Sequence, residues 1–326
     1  MVVLGSGQYR YEVSGENFGS LPDGWVYEEA TACAVDSNDN VFVFNRGGHP
    51  VIVFDSEGNF IKSWGDGVFS TPHGITIGPD DSVYCVDTVD NNLRKFTPDG
   101  ELLMTIGASG QLVSEGHFEH DIPAEAMSGK PFNRPTHAAI DPRNGDICVA
   151  DGYSNARVHR FSADGELKES WGESGTGPGE FNIVHAIDID GDGMIYIGDR
   201  ENHRVQVFQP DGTHHATWAN LSRAAAVAVD DNGLVYVGEY FAGISSNDRG
   251  TRLGPRVTVC DRDGNILARL SDQSYGDAPG SFYSPHMIDT DSKGNIYVAE
   301  VSYSDYGRNM DPPQELRSMQ KLVKLG

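Results

Sequence analysis

The feature that most constrains this chain is its likeness to itself. One unit recurs: a short strand, a turn of Asp, Asn and Gly, a strand ending in an acid, a polar loop, a third strand, then a D-G turn and a last strand. Six copies can be traced. Their second strands read NVFVFN, SVYCVD, DICVAD, MIYIGD, LVYVGE and NIYVAE, and MQKLVKL closes the sixth copy. The period is roughly 40 to 50 residues with four short strands in each unit. One such sheet cannot bury both of its apolar faces unless neighbours stack on it. The pattern therefore predicts an all-β chain, a six-bladed β-propeller of four-stranded antiparallel blades, as a single domain over residues 1–326. The segment YRYEV near the start is expected to pair with the closing MQKLVKL strand, which removes an open sheet edge.

Composition agrees with a β protein. Glycine is abundant at 39 residues, aromatics make up 10%, and only the tail PPQELRSMQ reads as mildly helical. The 48 acidic against 24 basic residues leave a formal charge of -24, which repels a phosphate backbone and argues against a nucleic-acid partner. Many of these acids stand in turns such as TPDGE, SADGE and IDGDG, where Asp also shapes the backbone. The start of the chain lacks a basic leader with a long apolar run, and no segment approaches the roughly 20 apolar residues of a membrane span. The expectation is a soluble cytoplasmic protein without a membrane partner. Cys33, Cys85, Cys148 and Cys260 lie in separate strand-like runs without metal spacing, and are expected to be small buried hydrophobes in a reducing compartment.

The first strand of a blade lines the central channel, so equivalent positions form a ring about the axis. Aligning the copies gives one slot occupied in turn by Thr31, His73, Thr136, His185, Ala225 and His286. The histidines fall in every second copy, about 120° apart in a six-bladed ring, so the imidazoles are expected to converge on the axis. Singly, each histidine is more often a polar residue lining a wet channel. Their three-fold placement favours a metal site of His73, His185 and His286 with an open position, with zinc ahead of iron, cobalt or manganese. Of the other histidines, His137 is a candidate to face the channel behind the ligands. His117 and His120 belong to the longest insertion, which is expected to lie over one mouth of the channel.

Two residues depart from the repeat where they can do chemistry. Arg46 in FNRGGH offers a bidentate clamp for a carboxylate, and Tyr153 in VADGYSNARV offers a phenol that becomes a base near a cation. Both also have ordinary readings, as an ion-pair partner and a packing residue. Asp87, Asp151, Asp199, Glu239 and Glu300 recur at one repeat position, which points to a structural task, hydrogen bonds to loop amides, rather than catalysis.

The segment FNRPTHAAIDPRNGDICVADGYSNARVHRFSADGELKESWGE, followed by VHAIDIDGDGMIYIGDRENHRVQVF, resembles the catalytic core of the peptidyl-α-hydroxyglycine α-amidating lyases, which are NHL-repeat propellers. The coincidence of Arg46 in NRGGH, His73 in PHG, Tyr153 in DGY, His185 in VHA and His286 in SPH carries the resemblance. It implies a lyase with zinc on the three histidines, with Arg46 and Tyr153 serving the cleavage of a carbinolamide into an amide and glyoxylate. The substrate would be a small or short peptide-like α-hydroxy acid. The methionine and aspartate that flank the family's third histidine, and go with a structural calcium, are Ser284 and Met287 here, which argues against that calcium although backbone oxygens such as that of Ile75 remain. Ser154 replaces the family's cysteine after the tyrosine, so its disulfide is not expected. Two other classes fit the repeat: a non-enzymatic NHL propeller that binds a protein partner, and a calcium-dependent lactonase-like hydrolase. Neither needs three axial histidines.

Overall fold

A computed structural model of the chain describes residues 1–15, 17–107, 132–241, 254–271 and 275–326. These residues fall into two compact units, one of Gly65–Asn220 and one of Met1–Trp64 with Leu221–Gly326. Among the described residues each unit holds three antiparallel sheets, each matching one copy of the repeat, and a short parallel pair of Glu173–Ser174 with Glu180–Phe181 stands apart from them.

In the Gly65–Asn220 unit the three sheets begin with the strands Pro72–Ile77, His137–Ile140 and Val184–Ile189. Each is followed in order by its second, third and fourth strands, hydrogen-bonded to the preceding one. Second strands such as Val83–Asp87 and Ile147–Asp151 are buried at every position, whereas the fourth strands Leu102–Gly107 and Leu167–Trp171 are largely exposed. Stacking explains this gradient. Tyr84, Val86, Ile147 and Val149 pack in one apolar layer, and Cys148, Ala150, Ile187 and Ile197 in the next, so the middle sheet is covered on both faces.

The other unit repeats the plan with sheets starting at Ala30–Val35, Arg223–Val229 and Pro285–Thr290. Tyr9–Val13 pairs antiparallel with Met319–Lys324, as Tyr11 opposite Lys324 and Val13 opposite Leu322, which is the pairing expected of YRYEV. A fifth strand, Val3–Ser6, extends that sheet further.

The turns are organised by their aspartates. Asp190, Asp230, Asp261 and Asp291 each accept main-chain N–H groups two and four residues on. Tyr196, Tyr236 and Tyr297 donate their hydroxyls to the second oxygens of Asp190, Asp230 and Asp291, tying strand to turn in three successive sheets.

One expectation fails. The segment PPQELRSMQ contains no helix and its last two residues begin the strand Met319–Lys324, while the short helical turns lie before it, at Ser302–Asp305 and Gly307–Asn309. Pro312 and Pro313 donate no backbone hydrogen bond, and Arg317 is drawn onto the carbonyls of Asp277, Ala278 and Ser281. The four cysteines are free and buried, and burial pushes the thiols up, to about 11 for Cys148 and about 12 for Cys260.

Candidate metal centre

The shared slot is a β-bulge. Pro72 stands opposite Asp87 and Gly74 opposite Val86, so His73 is an extra residue on its strand. The same slip occurs at His185, between Val184 and Ala186, and at His286, between Pro285 and Met287. It recurs at Thr31 and Ala225. A bulge re-aims one side chain out of the regular alternation of a strand. Three of the five residues so placed are imidazoles, all buried.

At four of these five bulges the loop just ahead is held by the recurring acid of the same sheet. Asp87 accepts the N–H groups of Ser70 and Thr71 at 2.6 and 3.0 Å, just ahead of His73. Asp199 holds the N–H of Asn182 ahead of His185, and Glu300 holds those of Tyr283 and Ser284 ahead of His286. Asp151 and Glu239 do the same for Asn133 and Ser222. The structural task read from the repeat is thus observed, and burial raises the carboxyls of Asp199 and Glu300.

In the Gly65–Asn220 unit, His73 Nδ1 lies 2.7 Å from the carbonyl oxygen of Thr136. A carbonyl only accepts, so Nδ1 carries the hydrogen and Nε2 the lone pair. Tyr153 Oη lies 2.8 Å from His73 Nε2 and 3.1 Å from His185 Nε2, so two histidines and the phenol meet at one point. Two glycines permit this approach. A Cβ on Gly74 would stand 2.6 Å from the carbonyl oxygen of Thr136, and one on Gly152 would stand 1.8 Å from that of Val184. The PHG and DGY motifs are therefore packing requirements as well as chemical ones. Arg200, absent from the sequence expectations, holds its guanidinium 5.6 Å from the Tyr153 ring centre while Nε binds Glu201 at 2.9 Å. Its only sequence signal is a departure from the repeat, an arginine directly after the strand-end acid Asp199.

In the other unit, His286 Nδ1 lies 2.6 Å from the carbonyl oxygen of Thr31, which selects the same tautomer. Arg46 Nη1 binds Glu29 at 2.6 Å and Ser304 Oγ at 3.2 Å. The buried Glu29 also accepts the N–H and hydroxyl of Ser304, both at 2.6 Å. Glu29 carries no repeat signal, because it precedes the first copy. Its trace is that Asn45, not an acid, ends the second strand there and accepts the N–H of Glu29.

Neutral imidazoles with Nδ1 hydrogen-bonded to a carbonyl and Nε2 available are the donors that zinc and related ions take. His137 instead turns its ring to the main chain, with Nδ1 3.1 Å from the Ile187 oxygen and Nε2 3.4 Å from that of Ile75. Burial lowers it to about 4. Ser284 donates its hydroxyl to Asp305, and Met287 is buried. His117 and His120 lie outside the described residues.

A family model described as a 6-bladed beta-propeller matches residues 137–306, more than half of the chain. The chain belongs to this six-bladed β-propeller family. It is 26% identical over 336 residues to peptidyl-glycine alpha-amidating monooxygenase A of Xenopus laevis, which covers 90% of this chain but only 33% of that protein. The chain thus spans about a third of this relative's length. It is 31% identical to peptidyl-alpha-hydroxyglycine alpha-amidating lyase 1 of Drosophila melanogaster, covering 73% of this chain and 44% of the relative. It is 28% identical to NHL repeat-containing protein 3 of Mus musculus, covering 83% and 77%. The propeller is therefore related both to amidating lyases and to NHL-repeat proteins.

Proposed function

We propose that the chain is a metal-dependent lyase that cleaves the N–C bond of a carbinolamide, releasing an amide and glyoxylate or a related 2-oxo acid. The observation that carries this reading is the Tyr153 oxygen, set within 3.1 Å of the Nε2 atoms of both His73 and His185. His286 joins them by its equivalent bulge, its matching tautomer and its place in the alternation of a six-bladed family. The names of the amidating relatives agree with this chemistry.

His73, His185 and His286 would hold a divalent ion, which when bound would supply a Lewis acid for the substrate's hydroxyl oxygen. Arg46, held by Glu29 through Nη1, binds the carboxylate, and the Arg200 guanidinium lies 5.6 Å from the Tyr153 ring centre. Tyr153 takes the hydroxyl proton as general base. As the C–O bond becomes C=O, the C–N bond breaks with its electron pair going to nitrogen, and the proton returns from Tyr153 to that nitrogen. The test is to incubate purified protein with N-benzoyl-α-hydroxyglycine and to measure glyoxylate and benzamide above the uncatalysed rate, beside elemental analysis of protein prepared without added metal. Equimolar products, lost on chelation and restored by zinc, are expected. Metal-loaded protein that forms neither product would overturn the reading.

A further inference from the structure

The sheet that starts at Ala30–Val35 departs from the repeat in a way that bears on Arg46. In two other sheets the strand-end acid is paired with an arginine opposite it on the third strand, Asp199 with Arg204 at 2.6 Å and Glu239 with Arg256 at 2.8 Å. Here both places are uncharged. Asn45 ends the second strand, and its N–H donates to the carbonyl oxygen of Pro50 at 2.7 Å. The acid and the arginine stand instead in the loops just outside the strands, Glu29 immediately before Ala30 and Arg46 immediately after Asn45. Because Ala30 lies opposite Asn45, the two loop residues are neighbours, and the Arg46 N–H donates to the Glu29 carbonyl oxygen at 2.9 Å. An ion pair in that position does not tie a second strand to a third.

The two members of this pair differ in exposure. The Glu29 side chain is 1% exposed and that of Arg46 25%, so the acid lies beneath and the arginine keeps accessible surface. Three donors converge on the Glu29 carboxylate, each at 2.6 Å: Oε2 accepts from Arg46 Nη1 and the Ser304 hydroxyl, and Oε1 from the Ser304 N–H. A buried carboxylate supplied in this way has one orientation. Ser304 belongs to the helical turn Ser302–Asp305, and the next residue, Asp305, accepts the hydroxyl of Ser284, two residues before His286. One turn thus fastens both Arg46 and the approach to the third histidine, all within the same compact unit.

We infer that Glu29, with Ser304 beside it, is a positioning residue that orders Arg46 for the substrate's carboxylate and touches no substrate itself. An arginine left to move gives up rotamer freedom when it grips an anion, whereas here that ordering is complete before the ligand arrives. Glutamine cannot take over the task. Its one acceptor oxygen would replace two, and its amide N–H groups would face either the Ser304 N–H or the donors of Arg46 and the Ser304 hydroxyl. The inference rests on the lyase reading, and adds to it the residue that Arg46 depends on.

The experiment measures kcat and KM for N-benzoyl-α-hydroxyglycine, with metal content, in the wild type, Glu29→Gln, Arg46→Ala and the double variant. In parallel, N-benzoylglycine, which keeps the carboxylate and lacks the hydroxyl, is titrated calorimetrically into each protein. Glu29→Gln should raise KM about tenfold, the size of one hydrogen bond to a charged group, and weaken N-benzoylglycine by the same factor. Metal content should stay at the wild-type value. Adding Glu29→Gln to Arg46→Ala should bring no further loss, since the first change acts only through the arginine. A role confined to folding would lower metal content and add its loss to that of Arg46→Ala, and either result overturns the inference, as does an unchanged KM in Glu29→Gln. If the wild type does not cleave the substrate, the lyase reading fails by itself and the titration decides. N-benzoylglycine that binds the wild type about tenfold more tightly than both single variants then upholds the role of Glu29, and equal or absent binding overturns it. Should Glu29→Gln not fold, Ser304→Ala removes the hydroxyl shared by both partners and should raise KM about threefold; an unchanged KM and an unchanged affinity for N-benzoylglycine there overturn the inference as well.

Discussion

A histidine whose Nδ1–H is committed to a main-chain carbonyl has one tautomer and one orientation, and His73 and His286 are both in that state. The metal affinity of the proposed centre should therefore depend on each ring singly. Replacing His185 by Ala is expected to remove the bound metal and lower turnover by at least about a hundredfold, more than the loss of a supporting hydrogen bond would. Full metal content with intact activity in that variant would remove His185 from the site. For Arg46, hydrogen bonds to a charged group are worth about 1.5–3 kcal/mol, roughly one to two decades of rate. Arg46→Lys keeps the charge but loses the fork, so kcat/KM should fall by that amount while the metal stays. Esterifying the substrate carboxylate should harm the wild type far more than Arg46→Ala; equal losses would show that Arg46 does not read it. His137 gives a pH prediction. Burial lowers it from 6.5 to about 4, so the unfolded chain binds a proton that the folded chain refuses between these values. Stability from this residue is present above about pH 6.5 and is lost as pH falls towards about 4. Urea midpoints over that window should fall less in His137→Gln than in the wild type, and parallel curves would contradict it.

At the scale of the element, the bulge and the acid beside it work as a pair. The bulge turns one side chain off the regular alternation, and the acid fixes the loop that feeds it. Asp87 holds main-chain N–H groups on both sides of its site, accepting from Val89 and Asp90 as well as Ser70 and Thr71. Asp87→Ala should leave those amides unsatisfied and cost about 3 kcal/mol in chemical denaturation. Metal affinity should weaken through the displaced His73. A variant with wild-type stability and metal binding would mean the loop is held elsewhere. The role of the acids was legible in the sequence because it repeats with the strands. The bulge was not, because a one-residue slip is defined by which residues face each other across a strand pair, and a single strand carries no mark of it. The misplaced helix has a related cause: PPQELRSMQ has some helical composition, but the carbonyls that capture Arg317 lie about 40 residues away in the chain.

Across the whole molecule, burial follows the stacking of sheets. Apolar second strands are covered on both faces and fourth strands take the water, which is why the 38% hydrophobic content is concentrated in short runs. The two ends of the chain meet in one sheet, where Tyr9–Val13 pairs with Met319–Lys324. Deleting residues 1–13 would expose that edge together with the layer under Tyr11 and Val13. The melting temperature of the whole protein should drop by several degrees; an unchanged melt would show that the end strand is dispensable. From the sequence by itself came the strands, their order, the turns, the acids that hold the loops and the slot shared by the three histidines. All of these are periodic, and a period is visible in one dimension. Only the tertiary structure decided what the slot does. The slip that frees His73, the Thr136 carbonyl that sets its tautomer, the Tyr153 oxygen against two Nε2 atoms, Arg200 over the phenol and Glu29 on Arg46 each depend on residues far apart in the chain. Such contacts are distances between folded segments, and a distance of that kind has no local signature for a sequence to carry.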